Sequence, residues 1–246
     1  MTEAVKATET AGETTGETAG VLVAGERAVP DPSGALRLPA HDALLVADLH
    51  FEKGSAFAAR GQLLPPYDTA ATLQRLAELI AAHRPARLIC LGDSFHDLGA
   101  DGRMAESDVE TLQGLVASVQ DWIWIEGNHD PVPPPRFGGR TAPELRLGAL
   151  TLRHEPTEGP AEGELAGHLH PAAKVRGRGR SVRRRCFATD GARMILPAFG
   201  AYAGGLNVRD EAFARCFGRT PDALVMGSGQ VWPVKASKLA PDRAGR

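Results

Sequence analysis

Short apolar runs alternate with longer amphipathic segments along the first half of the chain. Three runs are apolar almost throughout and stop at polar residues, which predicts buried strands at residues 43–47, 87–91 and 122–125. Residues 67–83 place apolar side chains at helical spacing and end before Pro85, and a second helix is predicted to begin at the Ser107-x-x-Glu110 capping pattern. This order is βαβαβ, which predicts a parallel sheet with crossover helices.

The second half contains shorter and more closely spaced strand patterns. Hairpins are predicted for residues 145–147 with 150–153 and for residues 223–226 with 230–234, and further strands at 164–167, 181–189 and 193–197. Residues 210–216 predict a short helix, and residues 21–24 with 35–38 predict an opening hairpin. We therefore expect a second, mixed sheet packed on the first.

Composition restricts the class of protein further. The chain has 246 residues, 43% of them hydrophobic and 24% charged, which is typical of a soluble globular protein and excludes a wholly disordered or collagen-like chain. No apolar run has the length of a membrane span, and the N-terminus lacks the features of a secretory signal. The three cysteines lie far apart without a CxxC pair, which fits a reducing cytoplasm rather than a disulfide framework or a zinc ribbon. We expect a cytoplasmic protein without membrane association.

The ends of the chain differ from its middle. Residues 1–20 are a low-complexity acidic segment of Thr, Ala, Gly and Glu, which predicts a disordered tail. Residues 235–246 are polar and contain Pro241 and Gly245, which predicts a flexible C-terminal tail. The expected folded domain is residues 21–234.

Polar residues with metal-binding chemistry follow the predicted strands. Asp48, Asp93 and Asn128 each come just after one of the buried runs, and the carboxyl ends of parallel strands meet at the same edge of a sheet. Asp48-x-His50 and His168-x-His170 each place two ligands on the same side of an extended segment. Seven residues are candidate ligands: Asp48, His50, Asp93, Asn128, His154, His168 and His170.

Seven ligands are too many for one ion but suit two ions that share a carboxylate. Oxygen and imidazole ligands without thiolates favour Mn, Fe, Zn or Ni. Two neighbouring ions can generate hydroxide at neutral pH and can stabilise the attacking and leaving oxygens of a displacement at phosphorus. The sequence therefore predicts a binuclear, metal-dependent phosphoesterase.

The ordered motifs resemble a known superfamily. Asp48-Leu49-His50, Gly92-Asp93, Gly127-Asn128-His129-Asp130, His154 and Gly167-His168-Leu169-His170 resemble the signature of calcineurin-like metallophosphoesterases. The blocks LVADLHFEKG (45–54), LPPYDT (64–69), GDSFHD (92–97) and GAYAGGLNV (200–208) resemble the PdeM-like, ligase-associated DNA damage response endonucleases of bacteria. The resemblance implies an α/β fold, a four-layer αββα sandwich of two mixed sheets.

The resemblance also implies how the ligands are divided between two divalent ions, with Mn²⁺ the expected metal. A first ion would have four ligands: Asp48, His50, Asp93 and His170. A second ion would share Asp93 as the bridging ligand and have four in all: Asp93, Asn128, His154 and His168.

Three further residues receive roles from the resemblance. His129 would assist the departing oxygen or stabilise charge in the transition state while a metal-bridging hydroxide attacks phosphorus, and Asp130 would orient the His129 imidazole. His96 would help to position the phosphate, as in a related motif of repair nucleases, although a structural role for His96 is equally open. Glu155-Pro156 departs from the small residue often found after the ligand at the position of His154.

Basic residues are concentrated four residues after the last ligand. They are Lys174, Arg176, Arg178, Arg180, Arg183, Arg184 and Arg185. Such a run is either a solvated strand face or a track for a phosphate backbone, and the second reading makes Arg183, Arg184 and Arg185 substrate-binding residues.

The resulting hypothesis is a DNA endonuclease that acts on single-stranded or flapped DNA in DNA repair. The resemblance implies functional association with a helicase, an exonuclease and an ATP-dependent DNA ligase. It leaves the oligomeric state open, with a homodimer as one option. Two alternatives are a phosphoesterase or pyrophosphatase of small nucleotides and, less favoured because every ligand position is filled, a non-catalytic scaffold of the same fold.

Overall fold

Two stacked β-sheets with helices on their outer faces form the protein. The computed structural model describes residues 20–62, 64–65, 67–177 and 179–242. Residues 1–19 of the predicted acidic tail, and the last four residues of the predicted C-terminal tail, lie outside the described residues.

The first sheet follows the chain order from edge to edge. Its strands are β1 (Val21–Val23), β2 (Glu26–Pro30), β3 (Leu36–Leu38), β4 (Ala43–Val46), β5 (Arg87–Leu91), β6 (Asp121–Ile125) and β7 (Arg140–Ala142). β1 to β4 pair antiparallel, and β4 to β7 pair parallel. The parallel part is the sheet that the βαβαβ pattern predicts, because crossover helices return the chain to the same edge.

The second sheet is also mixed. Its strands are β8 (Leu145–Leu147), β9 (Leu150–Arg153), β10 (Glu164–Ala166), β11 (Pro171–Gly177), β12 (Arg180–Thr189), β13 (Met194–Ile195), β14 (Leu206–Asn207), β15 (Asp222–Gly227), β16 (Gln230–Val234) and β17 (Leu239–Ala240). The order along the main path is β14-β11-β12-β13-β10-β9-β8. β15 also pairs with β12 and carries β16, and β17 pairs with β11.

Four α-helices connect and cover these strands in the described part of the chain. They are α1 (Lys53–Ala59), α2 (Asp68–His83), α3 (Glu106–Ser118) and α4 (Glu211–Phe217). Short 3-10 turns lie at Pro39–His41, Asp101–Arg103, Pro135–Phe137 and Ala236–Lys238. α4 begins at a true N-cap, since the Asp210 side chain accepts a hydrogen bond from the Ala212 backbone N–H.

Three apolar layers hold the elements together. Because side chains alternate along a strand, β4 points Leu44 toward α2 and α3 and Leu45 toward the second sheet. Phe187 of β12 packs in the layer between the sheets, and Phe213 of α4 packs against the outer face of the second sheet. The layers are therefore helix, sheet, sheet and helix, which confirms the four-layer αββα fold.

Three local predictions were wrong. The predicted opening strands are β1 and β3, but each pairs with β2 rather than with the other, because Ala24 and Gly25 turn the chain with φ of 49° and 82°. Ala105 stands at the N-cap of α3, and no side chain caps that helix, so Ser107 lies inside the first turn.

The third correction concerns the C-terminal boundary at residue 234. β17 pairs antiparallel with β11, and the Asn207 side chain donates hydrogen bonds to the Ala240 carbonyl and to the Asp242 carboxylate. These contacts join residues up to 242 to the second sheet, so the folded part extends beyond the predicted domain end.

A buried ion pair fixes the segment between β9 and β10. Arg193 and Glu164 approach to 3.1 Å, with side chains only 1% and 5% exposed. The Arg193 guanidinium also donates to the carbonyls of Thr157 and Cys216, and Glu164 accepts from the Thr157 hydroxyl. The pair therefore anchors the loop that follows His154.

Replacing Arg193 with Met tests this anchor. The change removes the nearer of two cations from the buried Glu164 carboxylate and leaves Arg153 Nε at 3.9 Å, so we expect the free energy of unfolding in urea to fall by about 3 kcal/mol. Arg215→Met is the matched control, because Arg215 pairs with Glu211 on the exposed surface of α4 and its loss should hardly change stability. Similar stability of the two variants would contradict the anchoring role of Arg193.

Candidate metal centre

The loops after five neighbouring strands meet at one edge of the two sheets. β4, β5 and β6 are parallel, so the residues that follow them come together, and β9 and β10 bring further loops to the same edge from the second sheet. The structure gathers there every ligand predicted from the sequence: Asp48, His50, Asp93, Asn128, His154, His168 and His170.

The backbone of this edge is held in a conformation that side chains disfavour. Asp48, His50 and Asp93 have φ of 54°, 46° and 48°, in the left-handed region. Cross-loop hydrogen bonds hold it: the His50 N–H donates to the Asp93 carbonyl at 2.9 Å, and the Asp48 N–H to the Gly92 carbonyl at 3.2 Å. Non-glycine residues in this region cluster at functional sites, where surrounding contacts determine the backbone.

A first group of ligand atoms is formed by Asp48, His50 and His170. The Nε2 atoms of His50 and His170 lie 3.2 Å apart, and Asp48 Oδ1 is 3.2 Å from His170 Nε2. Asp48 is fully buried, and its carboxylate also accepts the His168 backbone N–H. All three side chains can therefore reach a single ion.

A second group is formed by Asp93, His154 and His168, joined by Asn128. His154 Nε2 is 3.3 Å from Asp93 Oδ1 and 3.3 Å from His168 Nδ1. Asn128 Oδ1 lies 2.9 Å from His154 Nε2 and 3.0 Å from His168 Nδ1. This second group is also compact enough to hold one ion.

Asp93 lies between the two groups. Its Oδ1 is 3.3 Å from His154 Nε2, and its Oδ2 is 4.0 Å from His50 Nε2. The carboxylate therefore faces both groups and is the residue placed to bridge two ions.

The protonation of the site's carboxylates and imidazoles is suited to the binding of cations. Burial, together with the charge of His170, lowers the pKa of His50 to about 2, so its ring is neutral and has a free lone pair. Burial raises the pKa of Asp93, but the hydrogen bond to His154 and its charge outweigh this and lower that pKa to about 2. Burial lowers the pKa of His154, but Asp93 and Asp48 outweigh it and raise that pKa to about 9, so a metal ion competes with a proton there. Carboxylates and imidazoles that converge in this way suit divalent metal ions, which would replace the proton of His154 on binding.

His129 lies beside Asp93 at the mouth of the site. Its backbone N–H donates to Asp93 Oδ1 at 2.9 Å, and its Nδ1 lies 2.7 Å from the His96 carbonyl, which can only accept a hydrogen bond. The proton is therefore on Nδ1, and Nε2 faces the metal centre, 3.9 Å from Asp93 Oδ2. The side chain is 40% exposed, so a substrate can reach it.

Asp130 does not orient the His129 imidazole, contrary to the prediction. Its Oδ2 accepts the backbone N–H groups of Ser94 at 2.8 Å and Phe95 at 3.1 Å. Asp130 therefore fixes the loop that follows β5, and burial raises its pKa to about 7. The His96 carbonyl orients His129 instead, and a sequence carries no signal for such a main-chain contact.

The His96 side chain stacks on His129. The ring centroids are 5.4 Å apart and the planes 22° from parallel. His96 is 9% exposed, and its Nδ1 is buried without a hydrogen-bond partner among the described residues. The structure thus places His96 at the site, next to the predicted leaving-group residue.

The basic run forms the β11–β12 hairpin, and much of its charge is used internally. Arg185 Nη1 donates to the Ala198 carbonyl at 2.7 Å, and Arg183 Nε to Asp242 Oδ1 at 3.0 Å. Arg184 is exposed and donates only to the adjacent carbonyl of Arg183 in the described part of the chain. Arg178 lies outside the described residues.

A comparison with family models agrees with this geometry. Residues 42–180, more than half of the chain, match the model of the Calcineurin-like phosphoesterase family. The chain belongs to this family. The match includes every predicted ligand, and it identifies this calcineurin-like phosphoesterase as a metal-dependent hydrolase of phosphate esters.

Several solved structures are similar to this calcineurin-like phosphoesterase. The crystal structure of Pseudomonas putida nuclease MPE is 28% identical, with a TM-score of 0.68, and the match covers 88% of this chain and all of that one. The Aquifex aeolicus protein of unknown function AQ665 is 14% identical at a TM-score of 0.37, covering 52% of this chain and 78% of that one. Yfce, a phosphoesterase from E. coli, is 17% identical at a TM-score of 0.38, covering 78% and 97%. No curated protein matches.

The helices were compared with the requirements of a membrane span. None of those in the described residues has both the length and the apolar character that a crossing of the bilayer requires.

Gly127 is required by the crowding at the metal centre. A Cβ atom at this position would lie 2.2 Å from the Asp93 backbone nitrogen and 2.4 Å from the carboxylates of Asp93 and Asp130. We expect Gly127→Ala to displace Asp93 and to weaken Mn²⁺ binding about 10–100-fold in calorimetric titration. Gly114→Ala on α3 is the control, because a Cβ there meets nothing within 4 Å. Unchanged Mn²⁺ affinity in Gly127→Ala would contradict the requirement for glycine beside Asp93.

Proposed function

We propose that the protein is a metal-dependent DNA endonuclease that cleaves phosphodiester bonds in single-stranded or flapped DNA. The observation that carries the proposal is the pair of ligand groups on either side of Asp93, with His129 next to them. The likeness to a nuclease over the whole of that chain supports a nucleic-acid substrate.

The residues present would hold two divalent ions. Asp48, His50 and His170 would hold the first and Asn128, His154 and His168 the second, with Asp93 between them. Such ions, when bound, activate water and neutralise the oxygens of the phosphoryl group. The nitrogen and oxygen donor set without thiolate suits Mn, Fe, Zn or Ni, and the resemblance of the sequence motifs favours Mn²⁺ among them.

His129 would supply the proton for the departing oxygen. The His96 carbonyl holds Nδ1–H and leaves Nε2 directed toward the metal centre, so a proton on Nε2 can be delivered there. His96 stacks on the same ring and would limit its rotation. Asp130 would act indirectly, by fixing the loop that carries Asp93 and His96.

The biological setting belongs to the same proposal. A role in DNA repair in the cytoplasm, in functional association with a helicase, an exonuclease and an ATP-dependent DNA ligase, rests on the resemblance of the sequence blocks. Homodimer formation is left for measurement.

Hydrolysis of small nucleotides is the second candidate. Arg183 and Arg185 are engaged by Asp242 and by backbone carbonyls, so the hairpin offers fewer free cations to DNA than the sequence predicts. A small phosphoester needs no such track.

A substrate panel distinguishes the two candidates. Purified protein is incubated with Mn²⁺, Mg²⁺, Zn²⁺ or Ni²⁺ and with end-labelled single-stranded DNA, duplex DNA, a closed single-stranded circle or small nucleotides. We expect Mn²⁺-dependent cleavage of the single strand and of the circle, since only an endonuclease can open a strand without ends. Hydrolysis confined to the small nucleotides would support the second candidate.

His129→Ala separates metal binding from proton transfer. We expect the variant to bind Mn²⁺ like the wild type and to lose about 10²–10⁴-fold in kcat on DNA, the usual contribution of a positioned acid. His83→Ala is the control, since His83 pairs with Asp31 at the end of α2. A full cleavage rate in His129→Ala would refute the assigned role.

A further inference from the structure

One face of α1 borders the metal centre. Lys53 and Phe57 are one helical turn apart and therefore lie on the same side of the helix. The Phe57 ring centroid is 6.0 Å from that of His96, which itself is 5.6 Å from the His50 ring. Lys53 and, at the end of the helix, Arg60 thus flank the side of the site that carries the first ligand group.

The start of α1 is rigidly placed by α2. Asp68 accepts the Gly54 backbone N–H at 2.8 Å, and a Cβ at Gly54 would lie 2.6 Å from the same carboxylate. The Glu52 N–H donates to the Thr69 hydroxyl, which in turn donates to the Glu52 carboxylate. Lys53, between these anchored residues, is therefore held beside the site without any ligand.

The Lys53 ammonium makes no hydrogen bond and no ion pair within the described residues. Its side chain is half-buried, and its charge interacts with the carboxylates of Asp48 and Asp68 and with the rings of His50 and His96. Arg60 is exposed, and its charge also acts on His96. A partly desolvated cation without a partner binds an anion more strongly than a fully hydrated one.

The opposite side of the metal centre is acidic. A cavity of about 330 Å³ adjoins Asn128 and His154 of the second ligand group, and Glu126, Glu144 and Glu155 line it together with one arginine, Arg153, which pairs with Glu144 at 2.6 Å. Further phosphates of a polyanion are repelled on that side and attracted on the side of α1.

We propose that Lys53, assisted by Arg60, forms a subsite for the phosphate next to the scissile one, on the side of the first ligand group. The inference rests on the proposed function, because only a polynucleotide has such a neighbouring phosphate. It gives a role to the end of the LVADLHFEKG block, which the metal chemistry leaves unexplained.

The test compares two substrates in Mn²⁺-loaded protein. Lys53→Gln, Lys53→Arg and Arg60→Gln are assayed on a single-stranded oligonucleotide and on bis(p-nitrophenyl) phosphate, a diester without a neighbouring phosphate. Lys235→Gln is the matched control, since Lys235 is exposed and its ammonium lies 2.8 Å from Asp222.

We expect Lys53→Gln to lower kcat/KM on the oligonucleotide about tenfold or more, with a smaller loss in Arg60→Gln. The slope of log kcat/KM against log salt should become shallower by about 0.7 in Lys53→Gln. In Lys53→Gln, hydrolysis of the small diester at saturating Mn²⁺ should stay close to wild type, and Mn²⁺ affinity should not fall, because a cation beside the ligands Asp48 and His50 is removed. Both activities of Lys53→Arg and of Lys235→Gln should stay close to wild type.

Two results would contradict the proposal of a phosphate subsite at Lys53. Equal losses on both substrates would place Lys53 in the chemistry itself, and no loss on either would leave it without a role. Failure of the wild type to cleave the oligonucleotide while it hydrolyses the diester would instead overturn the proposed function, and the subsite with it.

Discussion

The arrangement of the loops depends on a convergence of carboxylates and imidazole nitrogens at one sheet edge, a set of groups that divalent cations would stabilise. Two imidazole nitrogens face each other at 3.2 Å in one group, and a carboxylate, an amide oxygen and two imidazoles meet in the other. Carboxylates and imidazoles gathered in a largely buried site are costly unless donors or cations compensate them. At this sheet edge, backbone hydrogen bonds and residues with left-handed backbone conformation hold the ligands in place.

Asp93 connects this chemistry to the fold. It follows β5, the strand between β4 and β6, and its two oxygens face the two ligand groups. Gly127 packs against its backbone without a side chain, and Asp130 fixes the residues that follow it. The residues around Asp93 thus hold its carboxylate between the two ligand groups and hold His129 beside it, so the proposed metal binding and proton delivery would depend on the same loop.

The sequence predicted the strands that are apolar runs and the polar residues at which those runs stop. Buried strands such as β5 are recognisable in the sequence as apolar runs. The polar residues just after them lie at the same edge of the sheet because parallel strands end on the same side. Hydrogen bonds of the main chain were not predictable. The bond between the His96 carbonyl and His129, and the bonds from two backbone amides to Asp130, do not depend on the residue types of their main-chain partners. The arginines at 183 and 185 were predicted as free cations because their partners, Asp242 and the Ala198 carbonyl, are distant along the chain.

The central claim is that two ions bind on either side of Asp93, and anomalous scattering tests it most directly. Crystals soaked in Mn²⁺ and measured near the manganese absorption edge should show two peaks in the site. One should lie among Asp48, His50 and His170, the other among Asn128, His154 and His168, and both should lie within coordination distance of the Asp93 carboxylate. A single peak, or two peaks of which one does not contact Asp93, would contradict the account.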